Sequence, residues 1–222
     1  EWLSWRTGSS HKEQGLLSPD VNAPLSPEAY LALDRAAETK SEYIDGQMVA
    51  MAGASVSHVR VASNVLTRLA THLQGKDCEA LGTDLRVQAH VDFSYPDVTV
   101  ICGPLILGGP PSDTLLNPTV IFKVLSPSTE QRDRTVKFRA YRRIPSLLAY
   151  VLVAQDYAWG DCFRRHGDMW VFSSLVGLDE ILDLPEIGCQ LTLAEIYERV
   201  DVKAVEENTS DEPPERDQGH ST

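Results

Sequence analysis

The sequence lacks a long hydrophobic run and has no close pair of cysteines. Its longest apolar stretch, residues 147–154, is far shorter than the roughly 20 residues of a membrane-spanning helix, and no hydrophobic signal sequence opens the chain. The cysteines are Cys78, Cys102, Cys162 and Cys189, and none forms a Cys-x-x-Cys pair. We therefore expect no membrane contact, no structural zinc, and a reduced cytoplasmic protein with free thiols.

Positive charge is also scarce. The chain has 20 Lys and Arg residues against 32 Asp and Glu residues, a net charge of −12. This balance excludes a protein that coats nucleic acid through its overall charge, but it allows a local basic surface. Residues 203–222 are acidic, contain two prolines and show no apolar period, so they are predicted to form a disordered tail. Residues 1–25 are predicted to be a poorly ordered leader, which leaves one domain over residues 26–202.

Apolar periodicity predicts helices and strands in that domain. Ser26, which precedes a proline, is typical of a helix start, and Asp45-Gly46 between two β-prone runs predicts a hairpin. Ser55 or Ser57 is expected to begin a second helix with one apolar face. We predict strands at 84–91, 96–102, 120–125, 148–153, 162–165 and 169–172, a loop at 103–117, and helices at 133–143 and 193–200. This order indicates a mixed sheet with helices packed on it.

Asp97 is the first candidate for chemistry. It stands in Tyr95-Pro96-Asp97-Val98, at the start of a hydrophobic strand, where a carboxylate can lie at the rim of the sheet. Metal-dependent phosphodiester cleavage uses such carboxylates to hold Mg²⁺, together with a cation near the scissile phosphate. Taken alone the pattern is weak, because Pro-Asp pairs are common at turns. His58, near the start of the second helix, is predicted to have a capping or surface role.

The helix at 133–143 contains the one dense basic run of this acidic sequence. Because arginine suits bidentate phosphate recognition, the run is interpreted either as a phosphate-contacting helix or as a solvated face that balances nearby acids. Its members are Arg132, Arg134, Lys137, Arg139, Arg142 and Arg143.

A series of motifs in order along the chain resembles one bacterial family, the restriction-endonuclease-like proteins of the PD-(D/E)XK nuclease superfamily, long catalogued as a domain of unknown function. The motifs are Glu42-Tyr43-Ile44-Asp45-Gly46, Ala50-Met51-Ala52-Gly53-Ala54-Ser55, His58, Asp84-Leu85-Arg86-Val87, Tyr95-Pro96-Asp97-Val98, Val124-Leu125-Ser126-Pro127-Ser128-Thr129, Lys137-Phe138-Arg139-Ala140-Tyr141-Arg142-Arg143 and Tyr150-Val151-Leu152-Val153. The resemblance implies an α/β (α+β) fold with a restriction-endonuclease-like core, in which helices flank a mixed β-sheet.

The resemblance also implies an active site that cleaves DNA with Mg²⁺ or Mn²⁺. Glu42 and Asp97 match acids near the metal. Lys137 matches a lysine that, in this family, replaces the one usually found two residues beyond the second strand carboxylate, at the position of Leu125 here. Arg134, Lys137 and Arg142 are the expected nucleic-acid contacts.

Lys123 is the departure from the family pattern. The family's strand has glutamate at this position, so a metal-ligating carboxylate is replaced by an ammonium. Unit charges about 4 Å apart interact by roughly 4 kcal/mol at an effective dielectric near 20, and a divalent ion doubles that repulsion. Lys123 is therefore added to the catalytic set as the residue that decides activity, and it is expected to pair with Asp97.

Three functional hypotheses follow from this sequence. The first is a Mg²⁺-dependent endonuclease that acts on DNA. The second is a catalytically impaired relative that binds nucleic acid or a protein partner. The third is a structural or homodimeric domain, which would self-associate through the 103–117 loop or an exposed sheet edge, an expectation that rests on fold analogy.

Overall fold

The computed structural model describes residues 25–203. The predicted leader and acidic tail lie outside the described residues, apart from residues 25 and 203 at their inner ends.

The first helix and hairpin form as the sequence predicts. Helix α1 (Pro27–Ala36) is capped by Ser26, whose side chain accepts a hydrogen bond from the Ala29 N–H. Strands β1 (Ser41–Ile44) and β2 (Gln47–Ala50) pair in antiparallel register across Asp45 and Gly46. Both turn residues have positive φ, 54° and 80°, a conformation that Asp-Gly adopts at low cost.

Helix α2 (Val56–His72) follows, and Ser55 is its cap. The fully buried side chains of Val61, Val65 and Leu69 lie on one face, as the helical period predicts.

The rest of the domain is rich in short strands. They are β3 (Cys78–Gly82), β4 (Arg86–Ala89), β5 (Asp92–Ser94), β6 (Val98–Cys102), β7 (Leu107–Gly108), β8 (Thr114–Leu115), β9 (Val120–Val124), β10 (Ala149–Val153), β11 (Trp159–His166), β12 (Met169–Val176), β13 (Ile181–Leu184) and β14 (Cys189–Thr192). The basic helical segment consists of α3 (Glu130–Arg132), a π-helical turn (Asp133–Lys137) and α4 (Phe138–Tyr141). A 3₁₀ turn (Pro185–Ile187) and helix α5 (Leu193–Ile196) complete the described elements.

Two six-stranded sheets and one hairpin organise these strands. The central sheet has the order β12-β11-β10-β9-β6-β3, the second sheet has the order β2-β1-β5-β4-β8-β7, and β13 pairs with β14. In the central sheet β9 and β10 are parallel, and the other neighbours are antiparallel. The predicted mixed sheet flanked by helices is therefore confirmed.

The middle strands of the central sheet are buried on both faces. Helix α2 packs against β6 and β9, and its apolar side chains join the larger hydrophobic cluster. On the opposite face, Tyr141 of α4 packs against Tyr150 of β10 in an edge-on aromatic contact, with ring centroids 5.0 Å apart. This double cover makes β6 and β9 a rigid platform for the side chains at their ends.

The prediction of four free thiols is wrong for two of them. Cys78 and Cys102 form a disulfide, because the antiparallel pairing of β3 with β6 sets them directly opposite each other although they are 24 residues apart in sequence. Cys162 and Cys189 are free and buried, as expected, and burial raises the pKa of the Cys162 thiol to about 11.

Several element bounds differ from the prediction. The strand expected at 84–91 is shorter and turns at His90, which has a φ of 62°. The 103–117 loop contains β7 and β8, and β12 is longer than expected. The closing helix ends at Ile196 instead of residue 200. No helix in the described range is both long and apolar enough to cross a lipid bilayer.

Candidate active site

Four of the predicted site residues lie in one cleft with a volume of about 570 Å³. Glu42 lies on β1, Asp97 immediately precedes β6, Lys123 lies on β9 and Lys137 ends the π-helical turn. No two of them are neighbours in sequence, so the packing of strands and helices brings them together.

Asp97 is held in place by the backbone of the adjacent strand. Its N–H donates to the Phe122 carbonyl at 3.2 Å, and its Oδ2 accepts a hydrogen bond from the Val124 N–H at 2.7 Å. The side chain is only 10% exposed. The carboxylate therefore has a fixed position at the edge of the cleft.

Lys123 forms an ion pair with this carboxylate. Its Nζ lies 3.1 Å from Asp97 Oδ2, and the lysine side chain is 9% exposed. This contact confirms the expectation that the lysine would pair with Asp97 in the space where the family pattern has a carboxylate.

His58 is a cleft residue whose contact with Asp97 the sequence did not predict. Its backbone N–H donates to the Ser55 cap, but its ring Nε2 lies 3.0 Å from Asp97 Oδ1. The predicted capping or surface role therefore leaves out the contact between the His58 ring and Asp97. Its position in the first turn of α2, directly after the Ser55 cap, was the available signal, but no pattern pointed from that turn to Asp97.

The surroundings of Asp97 set its protonation. Burial raises the pKa of the carboxyl, but the hydrogen bond with His58, the charge of Lys123 and the Val124 N–H lower it by more. The net pKa lies below its ordinary value, so Asp97 is ionised at neutral pH.

Lys137 belongs to a second, deeper group of charges. Its Nζ lies 2.7 Å from Glu42 Oε2 and 2.8 Å from Asp133 Oδ1, and its side chain is 2% exposed. Burial lowers the pKa of this ammonium, but the charges of Glu42 and Asp133 raise it more, so the net shift is upward. The Tyr95 N–H also donates to Glu42 Oε1, at 3.2 Å. Both members of the Lys137–Glu42 pair are thereby held in fixed positions.

The π-helical turn accounts for the position of Lys137. Asp133 and Lys137 are its first and last residues, and both are buried. Turns of this type are rare and frequently occur at functional sites. Nothing in the basic sequence distinguishes such a turn from an ordinary α-helix.

Comparison with known proteins identifies the family. Residues 27–194 match the sequence pattern of the Uma2 family, which is described as "Putative restriction endonuclease". The chain belongs to the Uma2 family. Two relatives from Synechocystis sp. are similar along most of their length. The protein slr1290 is 35% identical over 184 residues, covering 81% of this chain and 95% of its own, and sll1609 is 31% identical over 156 residues, covering 69% and 88%.

A solved structure shares the fold. It is the crystal structure of a "putative nuclease belonging to DUF820" from Anabaena variabilis, which superposes with a TM-score of 0.67 at 17% identity and covers 78% of this chain and 98% of its own. The expected restriction-endonuclease-like fold is therefore confirmed.

Of the basic run in residues 132–143 of this Uma2 chain, Arg132 and Lys137 line the cleft. Arg132 lines the cleft and has no ion pair with any of residues 25–203. Arg134 instead binds Glu130 and Asp161, at 2.8 and 2.6 Å, and stacks on a tryptophan ring. Arg142 is exposed outside the cleft. The predicted nucleic-acid contacts at Arg134 and Arg142 thus lie apart from the charged cluster.

Apolar side chains also line the cleft. They come from β2, the loop after it and helix α2, and they include Val49, Met51, Val59, Ala62 and Leu66. The cleft therefore combines charged and apolar lining.

The donor set in this cleft does not fit a divalent cation. Mg²⁺ requires near-octahedral oxygen ligands, yet an ammonium nitrogen lies within 3.1 Å of Asp97, and another lies within 2.7 Å of Glu42. Between residues 25 and 203 no three His, Cys, Asp or Glu side chains are grouped as a metal site. In this arrangement the two lysines neutralise the carboxylates that the family resemblance assigns to the metal.

Proposed function

We propose that this Uma2 protein binds nucleic acid by a backbone phosphate in the cleft, and that Lys123 impairs metal-dependent cleavage. The observation that supports this proposal is the 3.1 Å contact between Lys123 Nζ and Asp97 Oδ2. An ammonium in that position satisfies the carboxylate that a metal would need.

The energies favour the ion pair over a bound metal. A divalent ion about 4 Å from the Lys123 ammonium would be repelled by roughly 8 kcal/mol at an effective dielectric near 20. Removing the lysine from Asp97 would add a further cost, because both side chains are about nine-tenths buried. The remaining carboxylate, Glu42, is itself paired with Lys137.

The charge of the cleft suits one phosphodiester group. Lys123 is paired with Asp97, and Lys137 is paired with Glu42 and Asp133, so the two lysines of the cleft are already balanced by carboxylates. Arg132 is the cation without an acidic partner in the described part of the chain. A guanidinium binds phosphate oxygens in a bidentate manner, so Arg132 is assigned as the phosphate contact.

The alternative is an active Mg²⁺- or Mn²⁺-dependent endonuclease that acts on DNA. It is favoured by the presence of Glu42, Asp97 and Lys137 in one cleft of a Uma2 chain. It requires the Lys123 side chain to leave Asp97 and turn toward a phosphate.

A cleavage assay separates the two functions. Supercoiled plasmid is incubated with Mg²⁺ or Mn²⁺ and with the native chain, Lys123→Glu, or Lys123→Glu combined with Asp97→Asn. We expect no nicking by the native chain, nicking by Lys123→Glu, and its loss in the double variant. Nicking by the native chain that Asp97→Asn abolishes would establish the endonuclease instead.

Binding to labelled DNA and RNA oligonucleotides is measured by fluorescence anisotropy, with the native chain and with two arginine variants. We expect Arg132→Ala to weaken binding by roughly 10-fold, the loss of one charge-assisted contact. Arg143→Ala, which removes an exposed arginine of the same segment outside the cleft, is the matched control. Absence of binding by every chain, or an equal effect of the two substitutions, would refute the proposed nucleic-acid contact.

A further inference from the structure

Strand β12 (Met169–Val176) is an unprotected edge of the central sheet. It is eight residues long and pairs along its whole length with β11, and no strand of the described region pairs with its outer side. Natural edge strands are usually blocked by a charged residue, a proline, a bulge or a covering element. The sequence Met-Trp-Val-Phe-Ser-Ser-Leu-Val contains no charged residue, no proline and no glycine.

The side chains of this strand are exposed and apolar on both faces. Met169 is 68% exposed, Phe172 is 55% exposed, and Val171 and Val176 are each more than half exposed. Among the aromatic rings of the described residues, Phe172 packs against Phe163 only. An apolar strand that is open on its faces and at its hydrogen-bonding edge is a template for another strand.

The two ends of β12 differ in charge. At its start lie one cation, Arg165 of β11, which is opposite Trp170 and stacks on its ring, and one acid, Asp168. Beyond its end lie the exposed carboxylates of Asp179 and Glu180. An antiparallel copy of β12 therefore places each doubly acidic end beside the end that carries Arg165, whereas a parallel copy would bring the two doubly acidic ends together.

We propose that β12 is the interface of a homodimer, in which two copies pair antiparallel about a two-fold axis and join their central sheets. This interface is self-complementary in apolar surface and keeps the two doubly acidic ends apart, as an isologous contact requires. The composition of the segment that follows Lys203 argues against its pairing with β12 in place of a second copy. Lys203 bridges to Tyr157 beside the start of β11, but the residues that follow it include Glu206, Glu207 and the pair Pro213-Pro214, which disfavour a strand.

The symmetry restricts the register. Opposed residues of antiparallel strands share a face, so the two-fold axis must pass beside a single residue near the middle of the strand, such as Phe172 or Ser173. A cysteine at the correct position would meet its own copy across the axis.

Sedimentation velocity over a concentration series tests this interface. We expect the full chain to form a dimer, and Phe172→Lys to raise the dimer dissociation constant by roughly 100-fold or more, because each copy then places an ammonium in the apolar centre of the interface in place of a phenyl ring. Val91→Lys is the matched control, since Val91 is an exposed valine outside the interface, and it should leave the dimer intact. Circular dichroism and thermal melting verify that each variant is folded.

Cross-linking provides the second readout. Under oxidation, one of Phe172→Cys, Ser173→Cys and Ser174→Cys should give a covalent dimer in high yield, and Met48→Cys on the other sheet should not. A chain that is monomeric at all concentrations, or a dimer that Phe172→Lys leaves unchanged, would overturn the proposal. So would a monomer that dimerises only after residues 204–222 are deleted, because the tail would then be the occupant.

Discussion

Lys123 determines the electrostatics of the cleft through one contact. Asp97 is bound by three donors, namely His58, Lys123 and the Val124 N–H. A carboxylate with these partners is satisfied without a metal. Lysine in place of the family's glutamate changes the local charge by two units. This one residue therefore has a larger effect on metal binding than the many motifs that the chain shares with its family.

Removing either member of the Asp97–Lys123 pair should have unequal effects on stability. Asp97→Asn leaves the Lys123 ammonium buried without a counter-charge, and we expect a loss of roughly 3–5 kcal/mol in the free energy of unfolding. Lys123→Met should cost clearly less, because Asp97 keeps His58 and the Val124 N–H. Urea unfolding at pH 7 measures both, and the double variant isolates the coupling. Equal losses would contradict the assignment of the lysine to Asp97.

Helices and hairpins with strong local signals were predictable, and elements defined by pairing were not. Ser55 and the apolar period of α2 lie within one segment of sequence, as does the Asp45-Gly46 turn. Strand β3, Cys-Glu-Ala-Leu-Gly, has neither a clear alternation of apolar and polar residues nor a run of β-prone residues. It is a strand because it pairs with β6. The π-helical turn likewise depends on the burial of Asp133 and Lys137 beneath the sheet.

Helix α2 should be the element most sensitive to loss of apolar volume. Leu69 is fully buried on the face that packs toward the central sheet, so Leu69→Ala should lower the free energy of unfolding by about 2–5 kcal/mol. Val56→Ala in the same helix removes a side chain that is 67% exposed and should change it by less than about 0.5 kcal/mol. Chemical denaturation checks both, and similar losses at the two positions would contradict the packing described for α2.

The candidate site is a property of the whole molecule. Glu42 and Lys137 bond although they are 95 residues apart in sequence, and two sheets and the basic helical segment must assemble before the cleft exists. Family resemblance predicted Glu42, Asp97 and Lys137 because it encodes such distant pairs. It did not predict His58 in the cleft, Arg132 as the cation without an acidic partner, or the ion pairs of Arg134, which depend on the packing of this chain.

The acidic surface should limit the electrostatic part of nucleic-acid binding. With a net charge of −12 and Arg132 as the cleft cation that has no acidic partner in the described part of the chain, we expect about one or two phosphate contacts. The slope of log affinity against log salt concentration should therefore lie near −1 to −2. Anisotropy titrations from about 50 to 200 mM KCl measure it. A slope steeper than about −5 would contradict this account, because it would require a basic surface that extends well beyond the cleft.

Calorimetric titration with Mg²⁺ tests the central claim most directly, because it measures occupancy of the cleft without depending on a substrate. The account predicts no saturable binding by the native chain at millimolar Mg²⁺, binding by Lys123→Glu, and loss of that binding when Asp97→Asn is added. Saturable binding of Mg²⁺ by the native chain that Asp97→Asn abolishes would show that Lys123 does not exclude the metal.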